Sequence, residues 1–271
     1  MSSVRFAPLF WLALAIPVVF FLGQTFAPGA ALYTRELAPV TISWISTLPK
    51  LLFCLLAVLG GSAVVRRFEA GNPSRRAWQL WTAGIADLFL GQATLTYFLA
   101  TRGTLSVFPS VADLFFVLGC LSLVAALFAF LRSYRESGFP IGTASERWGI
   151  ALGAIALGAA VIVPVLWPLL RAPAPPLEKL LNLAYPTLDL LMLVPALVLL
   201  RISLRFWGGK VWTVWAALIA GILCTTAGDL AFAWFSLLGQ TRLEALIDVA
   251  FLLGYGFFAA TALSQRELLS S

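Results

Sequence analysis

Apolar residues fill most of this chain in long runs, and short polar turns that carry most of the charges separate them. A helix needs about 20 apolar residues to cross a bilayer. Runs of that length lie at 7–26, 41–65, 78–99, 110–131, 148–170, 184–204, 212–236 and 245–264. These runs are too long for ordinary strands and show no period-two alternation. The pattern predicts an all-α, polytopic membrane helix bundle of about eight transmembrane helices.

The composition strengthens the membrane prediction. Of the 271 residues, 61% are hydrophobic and only 11% are charged, and the mean hydropathy is +0.96. A soluble domain carries about 25% charged residues, so lipid must be the solvent for most of this chain. No connecting segment is long enough for a soluble domain. We therefore expect residues 1–271 to form a single integral membrane domain.

The basic residues predict the orientation, because cytoplasmic loops are enriched in Lys and Arg. With a cytoplasmic N-terminus and eight spans, two thirds of the basic residues face the cytoplasm, and both termini are cytoplasmic. The residues of this cytoplasmic set are Arg5, Arg66, Arg67, Arg75, Arg76, Arg132, Arg135, Arg147, Arg201, Arg205, Lys210 and Arg266. Tryptophans beside them are expected to anchor the helices at the membrane interface: Trp78, Trp81, Trp148, Trp207, Trp212 and Trp215.

Several function classes are disfavoured by what the sequence lacks. It has no histidine, the usual general base and the commonest zinc and haem ligand. Its cysteines, Cys54, Cys120 and Cys224, are isolated from one another and show no metal-ligand or redox spacing. We expect no metal and no cofactor, and an enzyme is the least favoured class. The basic residues form no continuous face, so no nucleic-acid partner is expected.

The acidic residues divide by type. All seven glutamates lie in predicted loops or near the chain ends, whereas all five aspartates lie within the apolar runs. These aspartates are Asp87, Asp113, Asp189, Asp229 and Asp248. An acidic side chain at the centre of a transmembrane helix costs about 3 kcal/mol on insertion scales. Each aspartate therefore needs a structural or functional reason.

Three of the aspartates lie near predicted helix starts, where a carboxylate offsets the helix dipole. Ser110 and Asp113 have the spacing of a capping box, and Asp189 and Asp248 follow the starts of their own runs. Asp87 and Asp229 lie deeper. With Lys50, the lysine inside an apolar run, they form either a polar cluster that joins helices or a ligand site or proton relay.

By depth, Asp113, Asp189, Asp229 and Asp248 all fall in the outer half of the membrane. Aromatic residues lie at the same level, among them Tyr185 and Phe116. If the helices are neighbours, these side chains form an outward-facing pocket of acidic and aromatic groups, which suits a cationic or amphipathic small ligand. A packed core built from the same residues is the alternative.

Two short segments indicate an internal repeat. "ADLFFVLG" (112–119) and "IDVAFLLG" (247–254) share Asp, Phe, Leu and Gly at the same spacing, and the preceding runs contain Asp87 and Asp229. The third and fourth predicted helices therefore resemble a parallel copy of the seventh and eighth. In the fifth run, Gly149 and Gly153 predict close packing against another helix.

The segment "FPSVADLFF", after a tryptophan-led run with an internal Asp, resembles the multi-span membrane sensor regions that precede GGDEF, EAL or kinase output domains in bacteria. Pro109, Ser110 and Asp113 carry the resemblance, and Tyr185, Pro186 and Asp189 repeat it in part. The resemblance implies a multi-pass protein of the bacterial cytoplasmic membrane. No output domain follows the last run, so a signal would pass to a partner protein in the membrane.

The favoured hypothesis is a membrane-embedded sensing or ligand-binding module that signals through a partner. The alternative is a structural or accessory subunit of a larger membrane complex, in which the acids only join helices. A third hypothesis is a proton- or cation-coupled transporter of small solutes with Asp87 and Asp229 as relay groups. It is less favoured because the repeat is parallel, whereas many transporters contain inverted repeats.

Overall fold

The computed structural model describes residues 8–27, 39–105, 108–138, 142–161, 164, 166–171, 173, 175–238 and 243–270. Within these ranges the regular structure is entirely helical: α1 (Pro8–Phe26), α2 (Pro39–Arg67), α3 (Pro73–Arg102), α4 (Val111–Glu136), α5 (Ala144–Val161), α6 (Trp167–Arg171), α7 (Pro176–Ser203), α8 (Lys210–Leu238) and α9 (Glu244–Leu268). A 3₁₀ turn, Leu204–Phe206, follows α7. The predicted all-α, polytopic helix bundle is confirmed.

Seven of the described helices, α1 to α4 and α7 to α9, are long and apolar enough to cross a membrane. The sequence predicted about eight, and the difference lies in the run 148–170. There α5 ends at Val161, and Pro164 and Pro168 follow. The short helix α6 begins at Trp167 in the same run. Residues 162, 163 and 165 lie outside the described part of the chain.

The described part of α5 lies antiparallel to α7. Near its start, Glu146 Oε1 accepts a hydrogen bond from Arg201 Nη2 at 2.5 Å, and this bond holds the pKa of the Glu146 carboxyl below its ordinary value. Near its end, Gly158 faces Leu190. The predicted close packing at Gly149 and Gly153 is not found among the described residues, because a methyl group added at either position would meet no described atom within 4 Å.

Six helices form a closed ring in the order α2, α3, α4, α7, α8, α9. Each contacts the next, and α9 contacts α2. Outside the ring, α1 packs on α9 and α2, and α5 packs on α7. The two helix pairs α3–α4 and α8–α9 are antiparallel hairpins, whereas α2 and α9 run parallel, since Lys50 meets Asp248 and Gly60 meets Ala262.

These directions bring the basic residues to one end of the ring, which we call the arginine-rich end. It contains the end of α2, where Arg67 donates a hydrogen bond to the Arg266 carbonyl at 2.8 Å. Its basic residues are Arg66, Arg67, Arg75, Arg76, Arg132, Arg135, Arg201, Arg205, Lys210 and Arg266. They belong to the set predicted to be cytoplasmic.

Aromatic side chains fill the ring towards the arginine-rich end. Trp78 packs edge-on against Trp81 and Phe130, and Phe130 packs against Trp215, with ring centroids 5.1–5.4 Å apart. Trp81 also contacts Phe258. The prediction of a lipid anchor is therefore wrong for these three tryptophans, which are buried in the core. Exposed Trp148 and Trp207 remain consistent with it.

The two hairpins make corresponding backbone contacts. A methyl group added at Gly84 of α3 would lie 3.0 Å from the carbonyl oxygen of Gly119 in α4. One added at Gly221 of α8 would lie 3.2 Å from the carbonyl oxygen of Gly254 in α9. Small residues permit this close approach between helices. An equivalent pair of glycines therefore sets the distance between the two helices in each hairpin.

A second pair of contacts fixes the register of the repeat. Gly91 of α3 lies against the ring of Phe116, and Gly228 of α8 lies against the ring of Phe251. The residues that follow these glycines, Gln92 and Asp229, are therefore equivalent. Asp87 and Asp229, the aspartates of the two preceding runs, are therefore not equivalent positions.

The glycine contacts make a stability prediction. Replacing Gly254 with Ala places a methyl group 2.6 Å from Thr225 Cγ2 and 3.3 Å from the Gly221 carbonyl oxygen. We expect the overpacking to destabilise the protein by about 1–3 kcal/mol, measured by unfolding in dodecylmaltoside micelles titrated with SDS. Gly153→Ala is the matched control, since its new methyl group meets open space. Equal stability of the two variants would contradict the assigned packing.

Candidate functional site

The ring encloses a cavity of about 330 Å³ at the end opposite the arginine-rich end. All six ring helices contribute to its wall, and Leu105, Phe108 and Ser110 of the α3–α4 connection line it as well. The cavity therefore extends to that end of the bundle. Its volume lies at the lower end of the range for small-molecule sites, about 300–1,000 Å³.

The structure brings most of the predicted site residues to this cavity. Asp113, Asp189, Asp229 and Asp248 all line it, and so do the other predicted residues Tyr185, Phe116 and Lys50. Asp87 does not line it and lies partly buried elsewhere on α3. The cavity thus unites four aspartates from four helices, and their role in binding a ligand stays a prediction.

Asp113 is held by the helix start, as the sequence predicts. Its Oδ2 accepts the backbone N–H of Ser110 at 2.6 Å, and Ser110 Oγ accepts the N–H of Ala112 at 3.2 Å. Its Oδ1 accepts a hydrogen bond from the Tyr185 hydroxyl at 2.8 Å. The carboxyl group therefore caps α4 and joins it to α7.

Asp248 is held by α2 and makes no helix cap. It lies more than one turn after Glu244, where α9 begins. It accepts hydrogen bonds from the Ser46 hydroxyl and from the Lys50 ammonium, and this ammonium also donates to Ser46 Oγ at 2.8 Å. Lys50 lies 5.7 Å from the centroid of the Phe251 ring. Asp248 lies near the start of α9, as predicted, but its described partners are Lys50 and Ser46 of α2.

Asp189 has neither arrangement. The helix α7 begins at Pro176, which suits a first helical turn, and it continues through Pro186. Asp189 therefore lies more than three turns inside α7 and not near its start, as the run 184–204 had predicted. It is 1% exposed. Neither carboxyl oxygen has a hydrogen-bond partner of ordinary geometry among the described residues.

Asp229 of α8 is an acidic neighbour of Asp189. The two carboxyl groups interact electrostatically, and Thr226 is close enough to contribute a polar interaction to Asp189. Asp229 is partly exposed and lines the same cavity. We refer to Asp189 and Asp229 as the aspartate pair. The aspartate pair lies on the side of the cavity wall that α7 and α8 form.

The charges on the cavity wall do not balance. Lys50 is the only basic residue among the described lining residues, and its ammonium forms an ion pair with Asp248. Backbone amide and phenol donors satisfy Asp113. The aspartate pair has no cation beside it among the described lining residues. A buried carboxylate without a counter-charge is unfavourable, so the aspartate pair must hold either a proton or a cation.

Other chemistry is less well supported. Within the described ranges, no cluster of three or more Cys, Asp or Glu side chains could hold a metal ion.

Sequence reasoning missed Ser46, which lies one helical turn before Lys50, and the hydrogen bond from Gln92 Nε2 to the Tyr255 hydroxyl at 3.3 Å. The four-residue spacing of Ser46 and Lys50 on one apolar helix was the signal that could have identified Ser46.

The ion pair makes a testable prediction. Replacing Lys50 with Met leaves Asp248 in the cavity wall without a counter-charge, so we expect a loss of about 3 kcal/mol in the free energy of unfolding. The double variant Lys50→Met with Asp248→Asn should recover part of the loss, because it removes the remaining charge. Unfolding in mixed micelles of dodecylmaltoside and SDS measures both.

The matched control is an exposed pair. Arg132 and Glu136 form an ion pair on the surface of α4, and such pairs contribute little. Glu136→Gln should leave the unfolding midpoint unchanged. If Lys50→Met is as mild as Glu136→Gln, the assigned ion pair does not stabilise the ring.

The comparisons with known proteins leave the geometry of the cavity as the basis for inferring function. No family model matches the chain, and it matches no curated protein and no solved structure.

Proposed function

We propose that this protein is a membrane-embedded binding module whose cavity takes a small cationic or amphipathic ligand. The observation that carries the proposal is the convergence of four aspartates, from four helices, on one cavity with aromatic walls. Acids in apolar helices are expensive. Their concentration around one cavity, with two of them side by side and no cation beside them among the described lining residues, is typical of a functional site.

The walls suit a ligand with both apolar and charged parts. Phe116 and Phe251 face the cavity from α4 and α9, and each packs against a glycine of the neighbouring helix. Tyr185 and Tyr255 add hydroxyl groups. Aromatic rings bind apolar groups and attract cations through their faces, while the carboxyl groups supply the negative charge.

Part of the proposal is that ligand occupancy passes to a partner protein in the membrane. The helix α7 supports a route, because it carries Tyr185 and Asp189 into the cavity wall and Arg201 to the arginine-rich end. There Arg201 is bonded to Glu146 of the peripheral helix α5. A movement of α7 would therefore reach a helix on the outside of the ring.

The location in a bacterial cytoplasmic membrane, with the cavity opening outwards, is also a proposal. The collection of basic residues at the end of the ring opposite the cavity supports this orientation. The two alternatives have less support. A purely structural role explains Asp113 and Asp248, which join helices, but not Asp189, whose carboxyl oxygens have no hydrogen-bond partner of ordinary geometry in the described part of the chain. A relay through Asp87 and Asp229 is disfavoured because Asp87 does not line the cavity.

Blocking the cavity tests the proposal. Leu95 of α3 lines it, whereas Leu90 of the same helix is 44% exposed on the outer surface. Leu95→Trp should fill part of the cavity and weaken ligand binding by at least about tenfold, and Leu90→Trp should leave it unchanged. The measurement is binding to protein in nanodiscs, with a panel of neutral and cationic aryl-alkyl compounds.

Two results would contradict the proposal. One is that no compound in the panel binds the unsubstituted protein. The other is that Leu95→Trp and Leu90→Trp bind every compound equally well, which would place the binding outside the cavity.

A further inference from the structure

The two halves of the ring present corresponding positions to the cavity. The helices α2, α3 and α4 form one half, and α7, α8 and α9 form the other. Asp113 and Asp248 are equivalent in the hairpin repeat, and each is bonded to the first helix of the opposite half. Asp248 meets Ser46 of α2, and Asp113 meets Tyr185 of α7. Ser46 and Tyr185 each donate a hydroxyl to one of these two aspartates, and on this shared contact we treat them as equivalent positions.

This equivalence shows where the halves differ in charge. Four residues after Ser46 comes Lys50, and four residues after Tyr185 comes Asp189. The hairpins add a second difference, because Gln92 of α3 is equivalent to Asp229 of α8. One half therefore places an ammonium and an amide at positions where the other half places two carboxyl groups.

The contact between α2 and α9 shows how this architecture stabilises a carboxylate, that of Asp248. The Lys50 ammonium lies between α2 and α9 and donates to both Ser46 and Asp248. At the contact between α4 and α7, Asp113 has its donors, but nothing described in the chain supplies a cation to Asp189 and Asp229. Both oxygens of Asp189 face this wall without a hydrogen-bond partner, at 1% exposure.

We infer that the aspartate pair is the subsite for a primary ammonium group, which occupies the position in the second half that the Lys50 ammonium occupies in the first. The inference rests on the proposed function and narrows its ligand class to primary alkylammonium ions. The apolar part of the ligand lies against the aromatic wall.

The carboxyl oxygens of Asp189 should favour a cation that can donate hydrogen bonds to them. A primary ammonium has three N–H donors and can bond to both carboxyl groups at once. A trimethylammonium group has the same charge but no donor, so it would leave the oxygens of Asp189 unsatisfied. An alcohol of the same length has one donor and no charge. The site should therefore prefer the primary ammonium, then the trimethylammonium, then the alcohol.

The experiment compares phenylalkyl probes of two to four methylene groups that end in primary ammonium, trimethylammonium or hydroxyl. Binding to the protein in nanodiscs is measured at neutral pH, where the amines are charged. We expect the best primary ammonium to bind at least about tenfold more tightly than its trimethylammonium and hydroxyl analogues. Asp189→Asn and Asp229→Asn should each abolish this preference.

Asp87→Asn is the matched control, because it removes an aspartate of α3 that does not line the cavity, and it should keep the full preference. A second readout needs no ligand. Because the Asp189 carboxyl group has no cation beside it and no hydrogen-bond partner of ordinary geometry among the described residues, Asp189→Asn should raise the thermal unfolding temperature of the free protein. A lower unfolding temperature would show that Asp189 stabilises the fold, and would overturn the inference.

The binding results separate this inference from the proposed function. If all three probe types bind equally and Leu95→Trp weakens them all, the cavity binds ligands but the aspartate pair is not an ammonium subsite. Sodium ions that stabilise the protein as strongly as the amines would also overturn the inference, in favour of an inorganic cation. If no probe binds, both the inference and the proposed function fail.

Discussion

The structure depends on how polar side chains are satisfied where lipid surrounds the helices. Water is absent from the hydrocarbon region, so each buried polar group needs a partner within the protein. Asp113 and Asp248 meet this constraint by bonding across helices, and in doing so they connect α4 to α7 and α9 to α2. Those are the two contacts that close the hairpins into a ring, so the same carboxyl groups that are costly in lipid also determine the architecture.

The glycine contacts and the aromatic core divide the ring into two levels. Close approach at Gly84–Gly119 and Gly221–Gly254 holds each hairpin tightly. Towards the arginine-rich end, Trp78, Trp81, Trp215 and their neighbours fill the space between the hairpins. At the other end the polar side chains keep the helices joined without filling the centre. The cavity is a consequence of this division. Side chains fill the level near the arginine-rich end, whereas at the opposite end hydrogen bonds join the helices around an open centre.

The sequence predicted the features that depend on composition and local pattern. The fold class followed from apolar run length, and the capping box at Ser110 and Asp113 followed from spacing alone. The gathering of four aspartates was inferred from their similar depth. Length and apolar character do not show which helix neighbours which, so the partners of Lys50 and Tyr185 could not be assigned.

The errors have a common physical origin. Helix boundaries in an apolar chain have weak local signals, and α7 begins eight residues before the run that predicted it. That shift moves Asp189 from a helix start, where a carboxylate is favourable, to the helix interior, where it is not. Similarly, tryptophans near arginines resemble interface anchors, but tertiary packing places Trp78 and Trp81 in the core. Only the three-dimensional contacts distinguish these cases.

The corresponding halves of the ring have a consequence for how a guest molecule is oriented. A chamber built from two identical halves would offer two equivalent poses, so an elongated guest would lie either way round with equal probability. The two halves are not identical, because one carries Lys50 and Gln92 where the other carries Asp189 and Asp229. This difference removes the equivalence of the two poses, since the chain supplies a counter-charge on one wall of the cavity and none among the described lining residues on the other. The cavity thereby gains a polarity parallel to the membrane plane, and under the proposed function a ligand with distinct head and tail would have a single preferred direction.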